Sequence, residues 1–373
     1  MSADDKPVEK TVEKTVEKTV DCYLRIPDGK DLYAQILANA PFATHMAQQD
    51  RCQGRTVVIC GAGPSLRDEM HALPHAHQVW GCNSALPFLI DHDVRVTHGF
   101  CIDQGDAMLG EWERTFDVRY YVASSIHPKL TAHLLADHRR LTWFHSFLGC
   151  ADPEGWDGPG EHPANPVCPT CGNRKYYAAA IPRPCPAPFH ELLSYEMWLY
   201  RDRYGQSVQV GHGLNSVPRA VCLALFLGFS TIYVAGADCA CVPDAPPMPL
   251  WGTPEYGAWM RQLVFYADGR TAATCYGDDA LMAEAPDIDG RRWHTRADMV
   301  ISARHLLDLE AAFPTRIRLL GDTLPNAIRG KDKEWMSNLP SLDGVGKVGG
   351  FGNASDVYKA NHAAPHAHEE ARV

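Results

Sequence analysis

The stretch Arg55-Thr-Val-Val-Ile-Cys-Gly-Ala-Gly-Pro-Ser-Leu66 constrains the fold more than any other part of the chain. An apolar run of strand character stops abruptly in a glycine-rich turn that can open a helix. Gly61 and Gly63 admit backbone conformations closed to larger residues and let an anion approach closely. Pro64 suits a first helical position, where its missing N–H is no loss. Ser65 and the free N–H groups of that first turn are then expected to face a ligand, with the helix dipole favouring negative charge. A tight strand-to-helix turn without a ligand is the alternative. Leu66 stands where a dinucleotide fingerprint needs its third glycine, and no Gly-Lys-Ser/Thr follows to make a nucleoside-triphosphate loop.

The same rhythm recurs. Apolar runs at 56–60, 79–82, 94–102, 119–123, 141–144, 208–210, 232–235 and 317–320 alternate with segments of helical character. The best helix, 216–227, is closed by Gly228. Such alternation predicts a doubly wound α/β fold, a mostly parallel Rossmann-like sheet covered on both faces. Ligands in such sheets sit beyond the carboxyl ends of the strands, so residues just after each run matter most. Two segments break the rhythm, a Cys/Pro-rich one at 150–190 and an aromatic, acidic one at 239–296. Each is too long for an ordinary connection and is expected to be a functional insertion. They leave one Rossmann-like half at 23–149 and a second within 191–335. A charged Val-Glu-Lys-Thr repeat in 1–22 and a glycine- and histidine-containing tail at 336–373 have the composition of disordered ends.

With 373 residues, 45% of them hydrophobic, the chain can bury a sizeable core. Its net charge of −10, from 45 acidic and 35 basic residues, argues against broad attraction to nucleic acid or an anionic membrane. No apolar stretch reaches the roughly 20 residues of a membrane span, and the N-terminus lacks the apolar core of a secretory signal. The 13 cysteines are odd in number, and Cys60, Cys82, Cys101 and Cys222 lie inside apparent core elements. They read as mostly reduced thiols of a cytoplasmic protein. Nothing in the composition fixes the oligomeric state.

Polar groups follow five of the runs. Asn83 and Ser84 offer an amide and a hydroxyl suited to a base, a ribose or a sugar hydroxyl. Asp103, with Asp106 one helical turn later, suits Mg²⁺ or a general base. Ser124, Ser125 and His127 present two hydroxyls and an imidazole. Gly211-His212-Gly213-Leu214-Asn215-Ser216 is a second glycine-rich turn into a helix, with Asn215 or Ser216 as its N-cap. Gly236-Ala237-Asp238 follows the seventh run. Each has a structural alternative: a helix cap for Asp103, an Asx turn for Asn83, a surface loop for His127, loop filler for His212. Their recurrence after separate runs predicts convergence at one sheet edge.

Gly61-Ala-Gly-Pro-Ser-Leu66, the Asn83-Ser-Ala turn, Asp103 and the run from Ser216 through Leu227-Gly-Phe-Ser-Thr-Ile-Tyr-Val-Ala-Gly-Ala-Asp238 resemble the superfamily of the archaeal-type 6-hydroxymethylpterin diphosphokinases. The pattern is also similar to the motility-associated glycosyltransferases and, more distantly, the bacterial sialyltransferases. This resemblance implies that Gly61, Gly63, Pro64 and Ser65 hold nucleotide phosphates and that Asn83 and Ser84 line the same pocket. It implies that Asp103 and Asp238 serve a metal or the acceptor, and that His212, Gly213 and Asn215 form a His-Gly-x-Asn element. Leu214 departs from the acidic residue expected in that element.

Cys168-Pro-Thr-Cys171-Gly is a knuckle of the kind zinc sites use, and Cys150 and Cys185 lie near enough to complete four thiolates. Unpaired thiols or a redox pair are the alternatives, because a second Cys-x-x-Cys is absent. Taken together, these groups predict a nucleotide-dependent transferase acting on small molecules. The leading expectation is diphosphoryl transfer from ATP to a hydroxymethyl group on a heterocycle, with Mg²⁺ on Asp103 or Asp238 and His212 assisting the acceptor hydroxyl. The alternative is glycosyl transfer from a nucleotide sugar through the same pocket. A non-catalytic nucleotide-binding protein is a third.

Overall fold

The structure, a computed structural model, describes residues 29–146, 152–153, 156, 158, 165–177, 190–205, 209–211, 215–241, 245–288 and 290–329. Seven strands make one sheet: β1 (Thr56–Cys60), β2 (Gln78–Cys82), β3 (His98–Cys101), β4 (Arg119–Ala123), β5 (Arg140–Phe144), β6 (Thr231–Ala235) and β7 (Ile317–Leu319). Their spatial order is β7-β6-β1-β2-β3-β4-β5, and every pairing is parallel.

The sequence of β1 shows why this sheet is covered on both faces. Side chains alternate along a strand, and here both sets are apolar. Val57 and Ile59 join the main core with Val221 and Leu225, whereas Val58 and Cys60 join a second core with Leu66, Phe88 and Leu89. Burying each such aliphatic side chain contributes about 1.5–3 kcal/mol, so β1 is anchored from two sides. Helix α1 (Ala85–Asp91) lies on the second core, and α2 (Ser216–Phe226) and α3 (Ala297–Ala312) on the main one. This is the doubly wound α/β arrangement expected from the alternation. Gly228 ends α2 in the left-handed region at φ +84°, which lets the Phe229 N–H reach back to the Ala224 carbonyl at 3.1 Å.

Two expected strands differ. Within 94–102 only His98–Cys101 is strand, because Val94 is tied to the end of α1 through Leu89 and Thr97 bonds Val79 through both backbone and hydroxyl. The run at 208–210 adds no strand among its described residues: the Val210 N–H reaches the His145 carbonyl at 2.8 Å, and no ladder follows.

The insertion at 239–296 has structure of its own. Helices Pro254–Met260 and Ala272–Tyr276 gather around Tyr256, Trp259 and Met260, and an antiparallel hairpin, Ala283–Ile288 with Arg291–Thr295, meets them through His294 on Trp259 while its Trp293 joins the main core. Among the described residues no helix is long and apolar enough to cross a membrane, and no disulfide forms.

Candidate functional site

The sheet reverses its direction of growth at β1, with β2 on one side and β6 on the other. In an open α/β sheet the crevice beyond that point is where ligands bind. Two glycine turns meet there. The Gly61 N–H donates to the Ala235 carbonyl at 2.9 Å and the Gly63 N–H to the Gly236 carbonyl at 2.9 Å. Gly236 sits at φ +60°. A Cβ on Gly61 would stand 2.5 Å from the Gly236 carbonyl oxygen, and one on Gly63 would stand 2.1 Å from Asp238 Oδ2.

At Ser65 the donors of this turn meet a carboxylate of the chain itself. The Ser65 N–H lies 3.2 Å from Asp238 Oδ1, and its hydroxyl donates to Oδ2 at 2.9 Å. The donors expected to grip an external anion are held by the protein's own carboxylate. The helix that follows, Leu66–Glu69, spans a single turn, so it has little dipole to offer. Burial pushes Asp238 up to about 7; the two Ser65 donors pull it down and nearby Glu69 raises it again. A carboxylic acid of that kind can take or give a proton near neutrality.

A cavity of about 230 Å³ opens beside this junction. Gly61, Gly63, Asn83, Ser84, Asp103, Asn215, Ser216 and Asp238 all border it, while Pro64 and Ser65 do not. His212 and Gly213 lie outside the described residues. Asn83 occupies the left-handed region at φ +48° on the turn from β2 into α1. Its amide oxygen is buried without a hydrogen-bond partner, and so is that of Asn215, whose amide nitrogen faces Met299 Sδ at 3.7 Å. Two orphaned acceptors at one cavity ask for donors from a ligand or solvent. Asp103 is half-buried, and its Oδ1 accepts from the Gly105 N–H at 2.8 Å in a tight local turn. Asp106 is exposed and does not border the cavity. His127 caps the helix Pro128–Ala136 by accepting from the Lys129 N–H.

The cavity also has walls that the strand ends alone do not disclose. Glu111 forms a two-pronged ion pair with Arg270, whose guanidinium lies 4.6 Å from the Tyr266 ring centre. Phe265 and Tyr266 cover one side, and the Ala267 N–H docks on the Ala62 carbonyl at 2.8 Å. The insertion therefore touches the first glycine turn directly. Its length marks it in the sequence; the identity of the covering aromatics does not follow from length. Among the described lining residues three are carboxylic (Asp103, Glu111, Asp238) and none is basic.

Away from this cavity, Cys168, Cys171 and His190 come together, with their ligand atoms all within 4.8 Å of one another. Cys150 and Cys185, the other expected thiolates, lie outside the described residues. His190 is a donor that the cysteine spacing alone misses.

No protein family matches the chain, and no curated protein matches it. Among solved structures it is similar to the MAf glycosyltransferase from Magnetospirillum magneticum AMB-1, at 10% identity and a TM-score of 0.45, over 97% of this chain and 48% of that one. The chain thus spans about half the length of that protein. Identity and TM-score are too low to carry a substrate or a residue role across.

Proposed function

We propose that this chain is a transferase that moves a glycosyl group from a nucleotide sugar to an acceptor hydroxyl in the cavity beyond β1 and β6. The observation that carries this is the chemistry of the lining: two orphaned amide oxygens, on Asn83 and Asn215, beside Asp103 and Asp238. Sugar and ribose hydroxyls are the donors that such oxygens and carboxylates accept from. Diphosphoryl transfer from ATP stands second, because a triphosphate brings more negative charge than a sugar-linked diphosphate to a lining with no basic side chain among its described residues.

In the proposed reaction the acceptor oxygen bonds to the anomeric carbon as the bond from that carbon to the nucleotide diphosphate breaks. Asp238 takes the acceptor proton, preferably on Oδ1, the oxygen less engaged by Ser65. The oxygen of Asp103 left free by Gly105 suits Mg²⁺, whereas Asp238, bound to Ser65 and shifted towards neutrality, fits a metal poorly. Mg²⁺ held at Asp103 would offset charge on the departing diphosphate. Asn83 and Asn215 would orient the donor, and Phe265 and Tyr266 would limit access of water.

The test is a panel of nucleotide sugars and ATP, each with Mg²⁺, read by release of free nucleotide. Turnover of a nucleotide sugar that falls by about 100-fold or more in Asp238→Asn supports the proposal. Conversion of ATP to AMP without sugar-nucleotide turnover would favour the diphosphokinase, and binding without turnover would leave a non-catalytic nucleotide-binding protein.

A further inference from the structure

We propose that Cys168, Cys171 and His190 bind a zinc ion that staples the segment between β5 and α2. Cys171 Sγ lies 3.2 Å from His190 Nε2, and Cys168 Sγ shares the same 4.8 Å sphere. Zinc at its usual distances from sulfur and imidazole nitrogen separates two tetrahedral ligands by roughly 3.6 Å, so small adjustments admit the ion.

The local backbone is built for this gathering. The Gly172 N–H closes on the Cys168 carbonyl at 2.9 Å and the Cys168 N–H on the Asn173 carbonyl at 2.7 Å. Gly172 takes φ +73°, which allows the knuckle to turn sharply enough to present both sulfurs on one side. His190 Nδ1 is 3.0 Å from the Arg174 carbonyl. That contact places the ring proton on Nδ1 and directs the Nε2 lone pair to the sulfurs, as outer partners of zinc-bound histidines do. Soft thiolates with an imidazole select zinc over Mg²⁺ or Ca²⁺.

The segment also needs a staple. None of the apolar clusters among the described residues draws a member from 165–193, and Val167 and Leu192 are 51% and 69% exposed. Its contacts are mostly local and polar: the strand pairing of Tyr176–Tyr177 with Glu191–Leu192, the bridge of Val167 to Arg174, the Lys175–Glu191 ion pair at 3.0 Å and the side chain of Asn165 on the Tyr176 N–H at 2.9 Å. Where apolar burial is that small, metal binding energy becomes folding energy. On binding, each thiol gives its proton to solvent as its Zn–S bond forms, and the third bond uses the existing Nε2 lone pair. One tetrahedral position remains for a further donor or a water.

This site is independent of the proposed transferase activity. Elemental analysis of the purified full-length chain should find about one zinc per molecule. Replacing the zinc with Co²⁺ should produce thiolate-to-cobalt charge-transfer absorption, and Cys171, although exposed, should resist alkylation until a chelator is added. The double variant Cys171→Ser, His190→Ala should lose the metal. If that variant does not fold, the cobalt spectrum and the alkylation map on the unaltered chain decide. Zinc-free protein with Cys171 freely alkylated, zinc retained in a folded double variant, a cobalt form without the thiolate band, or an adventitious ion whose removal changes neither alkylation nor melting would each overturn the proposal.

Discussion

Asp238 is 4% exposed, and its own protonation near neutrality leaves a mark on stability as well as on chemistry. An unfolded aspartate titrates near 3.9, whereas the folded one is raised to about 7 by burial. Between those values the native state binds the extra proton, so this group's contribution to stability is present at low pH and falls as pH rises from about 4 to about 7. The loss is on the order of 4 kcal/mol. Asp238→Asn should keep the acceptor for Ser65 and flatten that slope, gaining stability over the unaltered chain at pH 8 but not at pH 4; identical pH profiles in urea denaturation would refute it. Asn215 gives the opposite kind of signature. Its buried oxygen has no partner and its side chain makes no cap bond, so Asn215→Ala should change stability by less than about 1 kcal/mol. Donor affinity should nevertheless weaken about tenfold, read by calorimetry with the nucleotide sugar that turns over; a loss of folding instead would make Asn215 structural. The glycines of the first turn mark the limit of what residue types disclose. Gly61 and Gly63 read as room for an anion, yet that room is filled by the Gly236 carbonyl and the Asp238 carboxylate. Both uses require the same missing Cβ, and only the position of Asp238, far along the chain, separates them.

At the scale of elements, the part of the 239–296 insertion around Ala267 meets the first glycine turn and its neighbours through a few polar contacts. Ala267 binds Ala62, Arg67 binds the Ala267 carbonyl at 2.9 Å, and Arg270 holds Glu111. Arg270 and Glu111 are 31% and 26% exposed, so solvent screens their attraction and the pair contributes about 1 kcal/mol. Arg270→Ala should therefore leave the global unfolding midpoint nearly unchanged while speeding amide exchange at Ala267 by about fivefold. Unaltered exchange there would show that the backbone contacts alone hold the cover in place. Element types were legible wherever apolar runs were long and flanked by turns, as in β1 and α2. Residues 208–210 have the right composition for a strand, yet the Val210 N–H goes to the His145 carbonyl and no ladder forms among the described residues of that run. Strand formation depends on an available edge, which no local pattern reports. The cysteine knuckle shows the same gap, since Cys168 and Cys171 are adjacent by spacing whereas His190 arrives through the pairing of Tyr176–Tyr177 with Glu191–Leu192.

For the molecule as a whole, the convergence of Asn83, Asp103, Asn215 and Asp238 on one cavity follows from topology: each comes after a strand of the sheet or opens the helix leading to the next. That much follows from alternation of strand and helix before any contact is known. The order of the strands has a further effect, during synthesis. Wherever residues 56–144 pair their five strands first, β1 presents Val57, Val58 and Ile59 on a bare hydrogen-bonding edge until β6, paired with it from Thr56↔Thr231 to Cys60↔Ala235, leaves the ribosome. An unpaired apolar edge recruits other chains. A fragment ending at residue 205 should precipitate at concentrations where the full chain remains monodisperse, and supplying residues 206–373 in trans should suppress it. A soluble, monomeric fragment would show that something else shields that edge. Translation speed across the intervening residues thus becomes a determinant of yield, because it sets how long a half-built sheet waits for its missing neighbour.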